Sequence, residues 1–249
     1  MFNFFRKKAK CPVSEEMRIW LENALIWLIR QFGEKKLLNV KQYIPAQEDF
    51  PLALDGTEEM CARLLNIVAT QMDTAPDNIQ LNFYNSNIVE LDERTGLATR
   101  FDDNEVHSVG FYELEKQDGK FSIAIERSQL KETDKLIATL AHELSHIKIL
   151  GEGRLQENNE YLTDLATVFF GFGVFSANSS FKFYSNYSGW GYSRQGYLSQ
   201  QEWAYSLALF AYIREEKLPG WTKYLSPNIR ADYIASEKFI YENQDKVLV

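Results

Sequence analysis

The sequence predicts an α+β fold, with a small sheet near the middle of the chain and helices on both sides of it. Short β-rich segments lie between Ile79 and Glu126, and the loop "KQDG" joins two of them as a hairpin. Segments with helical periodicity and capping residues lie before and after this region. The chain has 249 residues, 45% of them hydrophobic, which is enough for a sizeable core. We therefore predict one domain over residues 1–249.

The first part of this domain, residues 1–55, is predicted to be a helix followed by a connector. Ser14 can cap a helix that runs to about Phe32, because two glutamates follow in the first turn and a broad apolar face follows them. The segment Tyr43–Gly56 holds two prolines and several acidic residues, a composition typical of a connector. We expect the helix to dock on the rest of the domain through its apolar face.

The second part, residues 56–150, is predicted to be an α/β lobe with the sheet between two helices. Thr57 can cap the first helix, which runs to about Met72. The strands are predicted in the segments "IQLNFYN", "VGFYELE" and "KFSIAIE". Because the last two form a hairpin, we expect a small and mostly antiparallel sheet. A helix from Thr133 to about Leu150 closes this part.

The third part, residues 151–249, is predicted to be a lobe of helices with one long loop. The helices span about Asn158–Phe175, Gln200–Glu215 and Asn228–Tyr241. Ser199 and Glu202 can form a capping box for the second helix, and Pro227 suits the first turn of the third. The loop "FKFYSNYSGWGYSRQGY" between the first two helices is rich in aromatic residues and glycines.

Charge and cysteine content narrow the class of protein. The net charge of −8 and the pI of about 5.1 give no overall attraction to phosphate backbones, so we expect no nucleic acid partner. Two cysteines are a poor disulfide framework for a chain of this size, which indicates a reducing compartment, the cytoplasm. The amino terminus lacks the apolar core of a signal peptide, and no apolar run is long enough to span a bilayer. The oligomeric state is left open.

The segment "HELSH", residues 142–146, is the clearest chemical signal in the sequence. His142 and His146 are four residues apart, so a helix presents both imidazoles on one face, as two ligands of one metal ion require. The other faces of this helix are apolar or small, which indicates a buried helix whose histidine face borders a cleft. Two satisfied histidines on an ordinary polar helix face are the alternative interpretation.

The next helix offers carboxylates at matching depths. A glycine ends the histidine helix and the connection is short, so the following helix must return antiparallel to it. Glu160 then lies level with His146 and can complete a set of three metal ligands. One turn deeper, Asp164 lies level with His142 and can accept a hydrogen bond from the outer N–H of that imidazole. Glu157 is the alternative third ligand, although a solvated carboxylate in a first turn is its more ordinary role.

The motifs "HELSH" and "EYLTD", the latter at residues 160–164, together resemble those of the gluzincin metallopeptidases. These zinc enzymes combine HExxH on one helix with a downstream ExxxD pattern on the next. The resemblance implies a zincin-like fold with the HExxH helix in the active site. It also implies that His142, His146 and Glu160 bind zinc. By the same resemblance, Glu143 is the catalytic base and Asp164 orients one of the ligands.

The implied activity is that of a hydrolase that cleaves peptide bonds. Two imidazoles and one carboxylate leave Zn²⁺ an open position for water, whose pKa falls toward neutrality. Glu143 can take a proton from that water and pass it to the leaving amine. The expected partner is a peptide or protein substrate, cleaved internally or from an end. The alternative is a zincin-like binding or immunity module that is metal-stabilised or catalytically silent, and a third interpretation is a protease dedicated to one partner protein.

Two segments near the motif, the aromatic loop and "KFSIAIE", are each open to two interpretations, one in substrate binding and one purely structural. No histidine follows His146, so the downstream histidine with which some gluzincins stabilise the oxyanion is missing. Either the aromatic loop only packs, or it supplies this role from one of five residues: Tyr184, Tyr187, Tyr192, Arg194 and Tyr197. The segment "KFSIAIE" is either an edge strand that an extended substrate can join or an internal strand of the sheet.

Overall fold

The computed structural model describes residues 9–85, 110–117, 119–186, 189–194 and 197–248. The helices in these ranges are α1 (Glu15–Phe32), α2 (Glu34–Asn39), α3 (Glu58–Gln71), α4 (Thr133–His146), α5 (Glu160–Phe169), α6 (Gly173–Ser179), α7 (Gln200–Ile213) and α8 (Pro227–Glu242). The strands are β1 (Ile79–Tyr84), β2 (Gly110–Gln117), β3 (Lys120–Glu126), β4 (Phe181–Asn186) and β5 (Gly189–Arg194). This composition confirms the α+β class.

Helix starts follow the capping residues that the sequence predicts. Ser14 and Thr57 accept hydrogen bonds from backbone N–H groups in the first turns of α1 and α3. Ser199 and Glu202 form the expected capping box at the start of α7, and Pro227 occupies the first turn of α8. These local interactions fix where four of the helices begin.

The main sheet has three strands in the order β1–β3–β2. β2 and β3 form the expected antiparallel hairpin, but β1 pairs with β3 in parallel, from Ile79 opposite Phe121 to Tyr84 opposite Glu126. The prediction of a mostly antiparallel sheet is therefore wrong, and the sheet is mixed. The physical reason is that the long connection over residues 85–109 frees β1 from pairing with β2, so β1 can join the far edge of β3. The segment "KFSIAIE" is thus an internal strand, and the edge-strand interpretation is wrong for it.

A second, two-stranded sheet lies where the sequence predicts only a loop. β4 and β5 pair antiparallel, from Phe181 opposite Arg194 to Asn186 opposite Gly189. The prediction of helices alone after the first sheet is therefore wrong. Aromatic residues recur at alternate positions in both segments, which is the period of a strand, but the three glycines in residues 186–196 and the serines obscure this pattern.

The predicted helix over residues 158–175 is divided into α5 and α6 at Gly171. Gly171 has a φ of +85°, and its carbonyl oxygen accepts a hydrogen bond of 2.9 Å from the backbone N–H of Tyr43. A Cβ atom at this position would lie 2.1 Å from the carbonyl oxygen of Lys41. The helix ends here because Gly171 takes a left-handed conformation, and the connector approaches too closely for any other residue to fit there.

Helix α4 lies at the centre of the described core. It packs against α3, α5, α6 and β2, and its apolar residues Leu136, Leu140 and Leu144 are fully buried. After His146 the chain continues as one π-helical turn, Ile147–Gly151, where the sequence predicts more α-helix. No helix in the described part of the chain has the length and apolar character needed to cross a membrane.

Candidate metal centre

Contacts between α4 and α5 show that the two helices run antiparallel. His146, at the end of α4, lies near Glu160, at the start of α5, while His142 contacts both Glu160 and Asp164 one turn further along α5. The connection over residues 147–159 makes this possible, because the π-helical turn and the loop after it reverse the chain. The predicted return helix is confirmed.

The structure brings His142, His146 and Glu160 together as one group of three ligand atoms. Glu160 Oε2 lies 3.2 Å from His142 Nε2 and 3.4 Å from His146 Nε2. All three ligand atoms lie within 4.8 Å of one another, and no other group of this kind occurs in the described residues. Glu157, the alternative third ligand, is exposed and outside this group.

Only one of the two carboxylate oxygens of Glu160 accepts a hydrogen bond. Its Oε1 atom accepts a hydrogen bond of 2.7 Å from Asn158 Nδ2. Its Oε2 atom is buried, and neither contact with a histidine has the geometry of a hydrogen bond, so this oxygen has no hydrogen-bond partner. An unsatisfied buried carboxylate oxygen costs free energy unless a cation or a proton donor lies beside it.

The spacing of Glu160 Oε2 from the two imidazole nitrogens fits a small cation. Ligand atoms about 2.1 Å from a tetrahedral zinc ion are about 3.4 Å apart. The two distances from Glu160 Oε2 to the imidazole nitrogens, 3.2 and 3.4 Å, match this value. The donor set of two imidazoles and one carboxylate is also a common protein contribution to catalytic zinc sites. The residues present therefore fit zinc.

Asp164 holds the outer side of His142, as the sequence predicts. The Nδ1–H group of His142 donates to Asp164 Oδ1 at 3.0 Å, which leaves Nε2 directed at Glu160. The other oxygen, Oδ2, accepts hydrogen bonds from the backbone N–H groups of Tyr197 (2.6 Å) and Leu198 (3.1 Å). Burial disfavours the charged imidazole, but the hydrogen bond to Asp164 and the neighbouring carboxylate of Glu160 outweigh this effect and raise the pKa of His142 to about 10.

His146 has an outer partner that the sequence analysis does not single out. Its Nδ1 atom lies 3.5 Å from Thr163 Oγ1, and the Thr163 hydroxyl itself donates to the carbonyl oxygen of Asn159 at 3.2 Å. The sequence does indicate this position, because Thr163 lies three residues after Glu160 and therefore on the same face of α5. Asn159 also caps α5 by accepting a hydrogen bond from the N–H of Leu162.

Glu143 is a buried carboxyl group beside the histidines. Its exposed fraction is 4%. The pKa of Glu143 is raised above its ordinary value, mainly by burial. The charges of His142 and His146 lower this pKa in part, and the charge of Glu160 raises it. Tyr84, at the end of β1, is a further neighbour that the sequence analysis does not single out. Burial and then the charges of two glutamates, Glu143 among them, raise the Tyr84 pKa to about 12.

One of the five predicted oxyanion-stabilising residues is placed beside the metal centre. Tyr197 follows the hairpin, and the charges of Glu160 and Asp164 add to burial in raising its pKa. Three more candidates belong to strands β4 and β5: Tyr184, Tyr192 and Arg194. The structure describes their backbones but not their side chains. Tyr187 lies outside the described residues.

Comparisons with models of protein families, with curated proteins and with solved structures found no match to this chain. The resemblance to gluzincins therefore rests on the two sequence motifs.

Proposed function

We propose that this chain is a zinc-dependent peptidase in which Glu143 is the general base. The observation that carries the proposal is the position of Glu160 Oε2, buried and unsatisfied between the Nε2 atoms of His142 and His146. Two imidazole nitrogens and one carboxylate oxygen at this spacing are donor atoms that suit a divalent cation. With one, the same three atoms become the protein's share of a catalytic coordination sphere.

The outer partners of the histidines support a role as ligands. Asp164 accepts the Nδ1–H of His142, and Thr163 lies at hydrogen-bonding distance from Nδ1 of His146. Both imidazoles thereby present Nε2 to the same point, with their tautomers set by hydrogen bonds from the other nitrogen. Zinc held there would supply a Lewis acid and lower the pKa of a water molecule.

Glu143 is suited to move a proton between that water and the leaving amine. It follows His142 in sequence and is 4% exposed, so few bulk water molecules compete for its carboxylate. As the carboxylate it can take a proton from that water, and as the carboxylic acid it can then protonate the leaving nitrogen. An extended substrate can pair with β1 or β2, which are the edges of the described main sheet.

The second candidate function is a binding or immunity module with a structural metal or without turnover. The burial of Glu143 argues against it. A buried carboxyl group destabilises the folded state unless it is compensated, and a structural metal site has no use for one beside its ligands. A protease dedicated to a single partner protein is compatible with the same geometry and differs from a general peptidase only in its substrate.

The substitution Glu143→Gln tests the proposal. Glutamine keeps the size of the side chain but cannot accept a proton at neutral pH, so we expect cleavage to fall roughly 100 to 10,000-fold. The variant should bind as much zinc as the parent, because Glu143 is not among the three ligands. The measurement is a search for new amino termini in a cell lysate treated with either zinc-loaded protein. Equal cleavage by both would exclude Glu143 as the base, and cleavage by neither would favour the binding module.

A further inference from the structure

The two carboxylate oxygens of Glu160 have different surroundings. Oε2 is buried and lies 3.2 Å from His142 Nε2 and 3.4 Å from His146 Nε2. Oε1 instead accepts a hydrogen bond of 2.7 Å from the side-chain amide of Asn158. One oxygen of the carboxylate is therefore available to the proposed zinc, while the other is already engaged by a neutral donor.

The start of α5 does not depend on the side chain of Asn158. The N-cap of this helix is Asn159, whose Oδ1 atom accepts a hydrogen bond from the backbone N–H of Leu162. Asn158 precedes the cap and is exposed to solvent. The one side-chain hydrogen bond that the structure describes for Asn158 goes to Glu160. Because its acceptor is a carboxylate, this bond is charge-assisted and stronger than a bond between two neutral groups.

A carboxylate can bind zinc through one oxygen or through both, and this choice decides how much room is left on the metal. Two imidazoles and one carboxylate oxygen leave a position for water, and catalytic zinc sites can add a fifth ligand during the reaction. A second oxygen from Glu160 would compete for these positions. The hydrogen bond from Asn158 opposes such competition, because Oε1 would have to exchange its amide donor for the metal.

We propose that Asn158 is a positioning residue that makes Glu160 a ligand through Oε2 alone and so keeps a place on the metal open for water and substrate. This inference rests on the proposed zinc site and adds to it a residue that controls the number of protein ligands. Asn158 acts through Glu160 and not on the substrate itself. Hydrogen bonds to ligating carboxylates commonly tune the affinity or the activity of metal sites.

The substitution Asn158→Leu tests this role, because it keeps the size of an exposed side chain and removes the donor. The protein is loaded with Co²⁺, whose visible spectrum reports its ligands, and titrated with acetohydroxamate, which binds at open metal positions. We expect an altered cobalt spectrum in the variant and an affinity for hydroxamate about 10-fold weaker than in the parent. Affinity for the metal itself, from competition with a chelator, should not fall. Gln156→Leu removes another exposed amide from the same connection and is the matched control.

These measurements separate the inference from the proposed function. If the parent binds cobalt and hydroxamate but cleaves no protein, the peptidase proposal fails, and the comparison with Asn158→Leu still decides the role of Asn158. A parent-like spectrum and a parent-like hydroxamate affinity in Asn158→Leu would overturn the inference. Equal losses of metal affinity and hydroxamate affinity would also overturn it, because Asn158 would then only hold the ligand in place. A parent that takes up no cobalt would overturn both proposals.

Discussion

At the residue scale, Asp164 joins the candidate metal centre to the segment that follows the hairpin. One of its oxygens accepts the Nδ1–H of His142, and the other accepts the N–H groups of Tyr197 and Leu198. Its side chain is only 3% exposed, so these bonds have little competition from water. Asp164 therefore acts on the site twice, through the orientation of a ligand and through the position of Tyr197.

We expect Asp164→Asn to weaken zinc binding or turnover by about 10 to 100-fold while the fold is kept. An amide oxygen accepts these hydrogen bonds less strongly than a carboxylate oxygen does, and it carries no charge to favour the imidazole N–H. The measurement is a competition titration with a zinc chelator, together with the cleavage rate. Asp77→Asn, at an exposed position, is the matched control. Parent-like zinc affinity and turnover in Asp164→Asn would show that the hydrogen bond to His142 has no role in the site.

Most of the ligand set could be predicted from the sequence because it depends on local geometry. The helical period puts His142 and His146 on one face, and a short reversal of the chain brings Glu160 and Asp164 to the same depths. Tyr84 could not be assigned in the same way. Its position depends on the placement of β1, which tertiary packing decides.

At the scale of elements, the end of α5 depends on one close approach. The carbonyl oxygen of Lys41 occupies the space that a side chain at Gly171 would need, and the φ of +85° is unfavourable for other residues. This contact positions the connector against the helix that carries Glu160 and Asp164. The connector and the helix end are far apart in the sequence. The side chain of Gln42 also donates a hydrogen bond to the carbonyl oxygen of Gly171, across 129 positions.

Gly171→Ala should destabilise the protein by about 2 kcal/mol or more, through both backbone strain and the clash with Lys41. Gly153→Ala is the control. Gly153 also has a positive φ, of +72°, but a Cβ atom there meets nothing within 4 Å. The Gly153→Ala variant should therefore lose only about 1 kcal/mol of its free energy of unfolding, from backbone strain alone. Urea unfolding curves give both free energies. Equal losses in the two variants would show that the chain relaxes around Lys41 and that the close approach does not hold the helix end.

The elements that the sequence predicts well are those with signals of their own. Capping residues mark the starts of α1, α3 and α7, and each begins where expected. Strand direction has no such local signal, so the parallel pairing of β1 with β3 could not be predicted. The sequence does not predict the β4–β5 hairpin for a different reason: its glycines resemble those of a loop, although the aromatic residues alternate as in a strand.

At the scale of the whole molecule, the candidate site is built into the core. Helix α4 is packed on several sides, and the residues of α5 that follow Tyr161 are buried from Leu162 to Phe169. The ligands are therefore held by helices that tertiary packing stabilises. Because Glu160 itself lies at the partly exposed start of α5, its replacement should remove a ligand without removing core contacts.

The central claim is that His142, His146 and Glu160 hold one zinc ion, and the zinc content of purified protein tests it most directly. Elemental analysis, with circular dichroism on the same samples, should find one zinc per chain in the parent and in Glu157→Ala, the exposed neighbour. His142→Ala and Glu160→Ala should keep their helical spectra and lose most of the metal. A parent without zinc after exposure to excess metal and dialysis would contradict the account. So would zinc that persists in Glu160→Ala but is lost from Glu157→Ala.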